Sequence, residues 1–122
     1  WGLSASDSPA GYAVHEPAND LGVISPTAAL SAFPFTPQES MDALRHFYVD
    51  RRQELWGEFG FADAFSPSTG WVADGNLAID QGPIVVMIEN FRSGLLWRLF
   101  MSCPEVQRGI EVLRLSRTAQ HS

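Results

Sequence analysis

A chain of 122 residues with 45% apolar content is sized for one small unit with a buried core. Eight basic residues, all arginine, against fourteen acidic ones give a net charge of −6 at pH 7, a surface that repels phosphate backbones and anionic lipid and argues against nucleic-acid and membrane partners. Cys103 is the only cysteine, which excludes an internal disulfide and any cysteine-based metal cluster.

Residues 1–24 carry a dense set of turn formers (Ser8-Pro9, Gly11, Pro17, Asn19-Asp20, Gly22) and read as a lead-in of loops or short extended pieces. The first twelve residues, WGLSASDSPAGY, have neither a basic region nor a continuous apolar run, so no targeting segment is expected in them. Because it begins at Trp1 without a methionine, the chain reads as processed or as a piece of something longer. Ser25-Pro26 then predicts an N-cap followed by proline at the first helical position, opening a short, uncharged and buried helix, TAALSAF, that Pro34 ends. Thr36-Pro37-Gln38-Glu39 has the pattern of a capping box, the clearest helix start in the chain. Met41, Leu44, Phe47 or Tyr48, and Leu55 recur at helical spacing behind it, with a charged opposite face, so an outer amphipathic helix is expected to about Trp56.

Residues 57–79 read as a loop. Asp80-Gln81-Gly82-Pro83 is expected to open the third helix, whose positions 84–101 are apolar on nearly every side, as in a helix enclosed by others. Its longest fully apolar run, 83–88, is far short of the ~20 residues that span a bilayer. Gly94 marks a close approach or a bend. Ser102-Cys103-Pro104-Glu105 reads as a second capping box before an amphipathic helix with Val106, Ile110 and Leu113 inward, and Cys103 beside it as a small buried residue. The domain therefore divides into a lead-in (1–24), a helical body (25–115) and a polar tail (116–122). The order buried, amphipathic, buried, amphipathic defines an all-α fold of two helical hairpins with inner and outer layers. Two hairpins alone leave the inner helices half uncovered.

Asp80 is the most informative carboxylate, placed where a long loop meets the start of a buried helix. Free N–H groups and the helix dipole there favour an ionised group, suited to a general base or a sugar-hydroxyl ligand, and equally to simple capping. Glu89, inside VVMIENFRSG, needs a partner that Arg92 on the same face can supply. Nine residues of helix separate Asp80 and Glu89 by about 13 Å of rise. Glycosidase carboxyl pairs sit roughly 5 Å apart in retaining enzymes and 6.5–9.5 Å in inverting ones, so a partner for Asp80 must come from another element. Asp7 is the first candidate, followed by Asp63 and Asp74, although loop aspartates more often form turns. Trp1 and Trp71 lie in or beside loops, where an indole can stack on a sugar ring, whereas Trp56 and Trp97 read as core within helices. The three histidines share no ligand spacing, so no metal or cofactor is expected. Nucleophile-elbow, phosphate-loop and dinucleotide fingerprints are absent.

The strings W-G-L-S-A-S-D, I-S-P-T-A-A-L-S-A-F-P-F, L-W-G-E-F-G-F-A-D-A-F and L-A-I-D-Q-G-P-I-V-V-M-I-E-N-F-R-S-G-L-L-W, with the following C-P-E-V-Q-R-G-I, resemble the glucoamylase-like domain. That group includes β-1,2-glucan hydrolases and the related domain of cyclic β-1,2-glucan synthases. The likeness runs from Trp1 to about Leu115 and corresponds to the last third of the family's domain. It implies an (α/α)6 toroid of which this chain forms the C-terminal hairpins, with Asp80 and Gln81 at the cavity mouth near Trp1 and Asp7. On that basis Asp80 and Asp7 are the catalytic candidates, and Trp1, Gln81, Glu89 and Trp71 the substrate contacts. The resemblance also implies a general acid upstream, a glucan as partner, a monomer when full length, and a periplasmic or secreted location. The alternative is a non-catalytic interaction or carbohydrate-binding module.

Overall fold

The structure, a computed structural model, describes residues 2–119, with side chains to residue 114. Trp1 lies outside the described residues, as does the end of the polar tail. The lead-in forms a small antiparallel pair, β1 (Ala5–Ser6) against β2 (Ala13–Val14), closed by a turn in which the Ser8 hydroxyl donates to the Gly11 carbonyl. The helix α1 (Pro26–Leu30) follows with Ser25 at its N-cap and Pro26 at N1, and its small residues disappear into the core as their pattern predicts.

The outer layer differs from a single helix. It comprises α2 (Pro37–Arg45), a π-helical turn over His46–Asp50, and α3 (Arg52–Leu55). The wide turn, closed by Arg51 N–H on the His46 carbonyl at 3.1 Å, rotates the buried face so that Phe47 points inward and Tyr48 outward. Thr36 does occupy the N-cap of α2, yet its hydroxyl bonds to Ser40 and to the Ala32 carbonyl and makes no capping bond. Ser40 in turn donates to the Ala29 carbonyl at 2.9 Å, tying α2 to α1.

Residues 57–79 are more ordered than a plain loop. Two antiparallel pairs occur here: β3 (Trp56–Gly57) with β4 (Gly60–Phe61), and β5 (Phe65–Ser66) with β6 (Trp71–Val72). Trp56 therefore leaves the helix, and its exposed indole meets Tyr48 and Phe61 edge-on instead of filling the core. The main core gathers Leu30, Phe33, Phe47, Leu55, Phe61, Phe65 and Ile84, with Phe47 edge-on to both Phe61 and Phe65.

The third helix begins earlier than expected and is broken. The helix α4 spans Ala78–Ser93 with Leu77 at its N-cap, so Asp80 lies inside the first turn and Pro83 inside the helix. Gly94, at φ +67°, ends it in the left-handed conformation that glycine adopts without a Cβ penalty, and α5 (Leu95–Ser102) starts anew. The last helix, α6 (Pro104–Ala119), is preceded by an extended Cys103; Ser102 closes α5 and donates to the Leu99 carbonyl, so it caps nothing. Cys103 is exposed, contrary to the expectation of burial.

The inner helices α1 and α4 pack together, with α2 outside α1, in the inner-and-outer order read from the sequence. The enclosure expected for 84–101 is only half present. Val85 (69% exposed), Phe91, Leu99 and Phe100 (61%) turn apolar surface outward. Trp97 is half exposed, its indole beside the Phe35 ring and its backbone N–H donating to Asn90 Oδ1. Among the described residues, no helix is long and apolar enough to cross a membrane.

Candidate carboxylate site

The site is assembled from three elements that meet at the start of α4. The segment Phe61–Ser66 is buried throughout, and its backbone is held on both sides. Ala62 N–H donates to Leu55 O at 2.7 Å, Asp63 N–H to Gly75 O at 3.2 Å, and Phe65 and Ile24 exchange both backbone bonds. The Phe61 carbonyl takes the side-chain amides of Asn76 and Gln81. Phe61 and Phe65 fill the core on either side of Asp63, which is itself 2% exposed.

A carboxylate inside such a run requires an answer, because burying an unpaired charge costs several kcal/mol. Two groups supply it. The backbone N–H of Asp7, leaving β1, donates to Asp63 Oδ2 at 2.7 Å. The Asp80 carboxyl, 9% exposed, comes within hydrogen-bonding reach of Asp63 from the first turn of α4. Asp63 Oδ1 and Asp80 Oδ2 find no donor in the protein. Two carboxyl groups can share a hydrogen bond only if a proton lies between them.

Asp80 carries the consequence. Burial first, then the hydrogen bond with Asp63, then that residue's negative charge raise its pKa from the ordinary 3.8 to about 6. The shift runs against the helix dipole, which by itself favours the ionised form. The dipole acts here, but desolvation and a like charge at contact outweigh it. Nor is Asp80 a cap, since no side chain caps α4.

A groove of about 380 Å³ opens beside Asp80, lined by Ser4, Thr27, Ala28, Ser31, Ala32 and Pro83. Its hydroxyls, with Thr27 Oγ1 and Ser31 Oγ 3.1 Å apart, suit a neutral polyhydroxylated ligand. Larger grooves, of about 510, 500 and 430 Å³, contain neither carboxyl of the pair. The second is walled by Leu30, Tyr48, Trp56, Phe59, Ile84 and Ile88, an apolar composition suited to packing rather than to chemistry.

The other sequence candidates lie elsewhere. Asp7 reaches the pair through its backbone N–H. Gln81 spends its amide nitrogen on Phe61 O at 2.8 Å and faces the apolar groove. Glu89 pairs with Arg92 at 3.5 Å, as expected, and also accepts from the Ser93 hydroxyl. Trp71 sits half-buried in β6 and does not line the Asp80 groove. Asp63, ranked behind Asp7, is the residue that meets Asp80. Its signal was present in F-A-D-A-F, one carboxylate in an otherwise apolar run. Among the described residues, no cluster of three or more His, Cys, Asp or Glu side chains is placed to hold a metal ion.

Comparison with known proteins gives concordant matches. The profile of the Glycoamylase family, described as "Putative glucoamylase", matches residues 1–104. An exo-β-1,2-glucooligosaccharide sophorohydrolase (non-reducing end) of Parabacteroides distasonis is 48% identical over 116 residues, covering 93% of this chain and 16% of that protein. The endo-β-1,2-glucanase of Chitinophaga pinensis, solved with sophorotriose and glucose, superposes with TM-score 0.87 at 61% identity over 91% of this chain and 27% of its own. A β-1,2-glucanase structure from P. distasonis superposes with TM-score 0.87 at 50% identity, covering 91% of this chain and 16% of that one. The chain thus spans between 16% and 27% of the length of these relatives.

Proposed function

The chain belongs to the glucoamylase family, and from that membership we propose that it is the C-terminal helical portion of a glycoside hydrolase acting on β-1,2-glucan. In this reading the chain supplies one wall of the sugar cavity, and Asp80 is its acting carboxyl. The observation that carries it is a buried carboxyl of raised pKa opening onto a hydroxyl-lined groove. The β-1,2 linkage is favoured because three of the relatives compared are named for it, while the family name refers to another glucan linkage.

Chemically, Asp80 and Asp63 are too close to serve as the two opposed carboxyls of one glycosidic cleavage. An inverting pair needs room for a water, roughly 6.5–9.5 Å, and a retaining pair about 5 Å. The two act as one proton-holding unit facing one side of the sugar, and the opposing carboxyl belongs to a part of the protein outside this chain. A pKa near 6 lets Asp80 exchange a proton with substrate or water near neutral pH, which a carboxyl at its ordinary value does poorly. The Ser4, Thr27 and Ser31 hydroxyls offer donors and acceptors to sugar hydroxyls.

The test is hydrolysis of β-1,2-, β-1,3-, β-1,4- and α-1,4-glucans by the full-length protein and its Asp80→Asn variant. The expected outcome is release of oligosaccharides from β-1,2-glucan alone, reduced at least a hundredfold in the variant. Cleavage of α-1,4-glucan in preference would overturn the substrate reading, and an unimpaired variant would remove Asp80 from the chemistry.

A further inference from the structure

We propose that Asp63 is the positioning residue of the site: clamped by the Asp7 backbone, it shares one proton with Asp80 and so fixes how the Asp80 carboxyl faces the groove. The inference rests on the reading that Asp80 acts on the glucan, and adds a residue to it.

The placement of Asp63 carries the case. It does not line the groove, so substrate does not reach it. It is nevertheless a buried carboxyl, flanked in sequence by the core residues Phe61 and Phe65, in a segment with both backbone flanks tied down. Such a residue moves little, and one of its oxygens is fixed at 2.7 Å by Asp7 N–H. The remaining oxygen, Oδ1, has no donor in the protein. Simple structural duty would be served better by an asparagine or an apolar residue, because an unanswered buried acceptor costs about 1–3 kcal/mol, more when charged.

The groups around Asp80 support the assignment from each side. The lead-in offers Ser4, α1 offers the neutral hydroxyls of Thr27 and Ser31, and α4 itself offers Pro83. Among the described residues, the charge acting on Asp80 is that of Asp63. Asp63 is therefore the neighbour whose hydrogen bond and charge raise the Asp80 pKa. Asp63 sets both where the shared proton sits and which Asp80 oxygen remains for the substrate.

The experiment uses the full-length protein with Asp63→Asn and Asp63→Glu. Asparagine removes the like charge and can donate to an ionised Asp80, so the limb of the kcat–pH profile governed by Asp80 should move down by about one pH unit or more. Because Asp63 does not touch sugar, KM for β-1,2-glucan should stay within about twofold while kcat at pH 6 falls at least about tenfold. Carbon-13 NMR of aspartate-labelled protein, with the Asp80 carboxyl assigned by its loss in Asp80→Asn, should show the same downward move of the Asp80 midpoint. In Asp63→Glu, which keeps the acid, the midpoint should stay raised and activity recover in part.

An Asp80 midpoint unchanged in Asp63→Asn would overturn the proposal, as would a KM rise at constant kcat. If Asp63→Asn does not fold, Asp63→Glu decides: a midpoint back in the ordinary aspartate range defeats the proposal. Full activity in Asp80→Asn would instead defeat the functional reading, while the NMR midpoint still judges the Asp63–Asp80 pairing by itself.

Discussion

Asp80→Asn tests the electrostatics of the site through stability alone. An aspartate whose pKa rises from 3.8 unfolded to about 6 folded binds more protons in the native state between those values. Stability therefore falls as pH rises through that window and levels off above it. Roughly two pKa units at 1.36 kcal/mol each give a withheld stability of about 3 kcal/mol at pH 7. The amide variant replaces the shared proton bond with an amide bond to Asp63 that is weaker by about 1 kcal/mol, and gains relief from the charge. A net gain of about 2 kcal/mol is expected at pH 7.5, with little gain or a small loss at pH 4. Thermal unfolding of both full-length proteins at the two pH values measures it, and the difference in Tm should widen in favour of the variant as pH rises. Equal destabilisation at both pH values would mean that Asp80 is ionised and satisfied in the native state, and the argument from burial and like charge would fail.

Other consequences follow from the packing. Phe65→Ala removes a ring that is 1% exposed, edge-on to Phe47 and covered by the Arg51 guanidinium, and should cost about 3–5 kcal/mol in chemical denaturation. Gly60→Ala strains a residue at φ +105° and places a Cβ 2.7 Å from Gln81 Oε1. A loss of about 1–3 kcal/mol is expected, with displacement of Gln81 from the Phe61 carbonyl visible as faster amide exchange in 61–63. The 122-residue chain expressed alone should bind an apolar dye and associate in a concentration-dependent way, through the bare faces of α4 and α5. A monomer without dye binding would show that those faces close on themselves.

What was legible in the sequence depended on how local the deciding physics was. The burial of α1 followed from its small, uncharged residues and the Ser25-Pro26 start, and the inner-and-outer order followed from which helices carried charge. Boundaries were misread where one residue type had two uses. Pro83 looked like a first helical residue but is carried inside α4, which starts at Ala78 on the extended Leu77. The Thr36 and Ser102 hydroxyls matched a capping pattern yet bond to Ser40 and Leu99 O. The π-turn at 46–50 was hidden because Phe47 and Tyr48 both fit a helical stripe, and only packing chooses between them.

The apolar character of 84–101 describes a helix meant to be enclosed, whereas this chain covers at most 27% of the structures compared and leaves one flank bare. Asp80 stands out in the sequence because it opens D-Q-G-P, where a long loop meets the start of an apolar helix. Asp63, like Asp7 and Asp74, reads from sequence as a loop aspartate, a residue that usually forms turns or meets water. That rule fails here because the segment is a buried, backbone-paired strip.

The most direct test of the account is the crystal structure of the full-length Asp80→Asn protein with a β-1,2-glucooligosaccharide bound. The account predicts a sugar ring in the groove lined by Ser4, Thr27 and Ser31, with one of its oxygens, or a water held against the scissile bond, at hydrogen-bond distance from the side chain at position 80. Residue 63 should lie behind position 80, out of contact with sugar. An oligosaccharide seated elsewhere, with this groove empty, would contradict it.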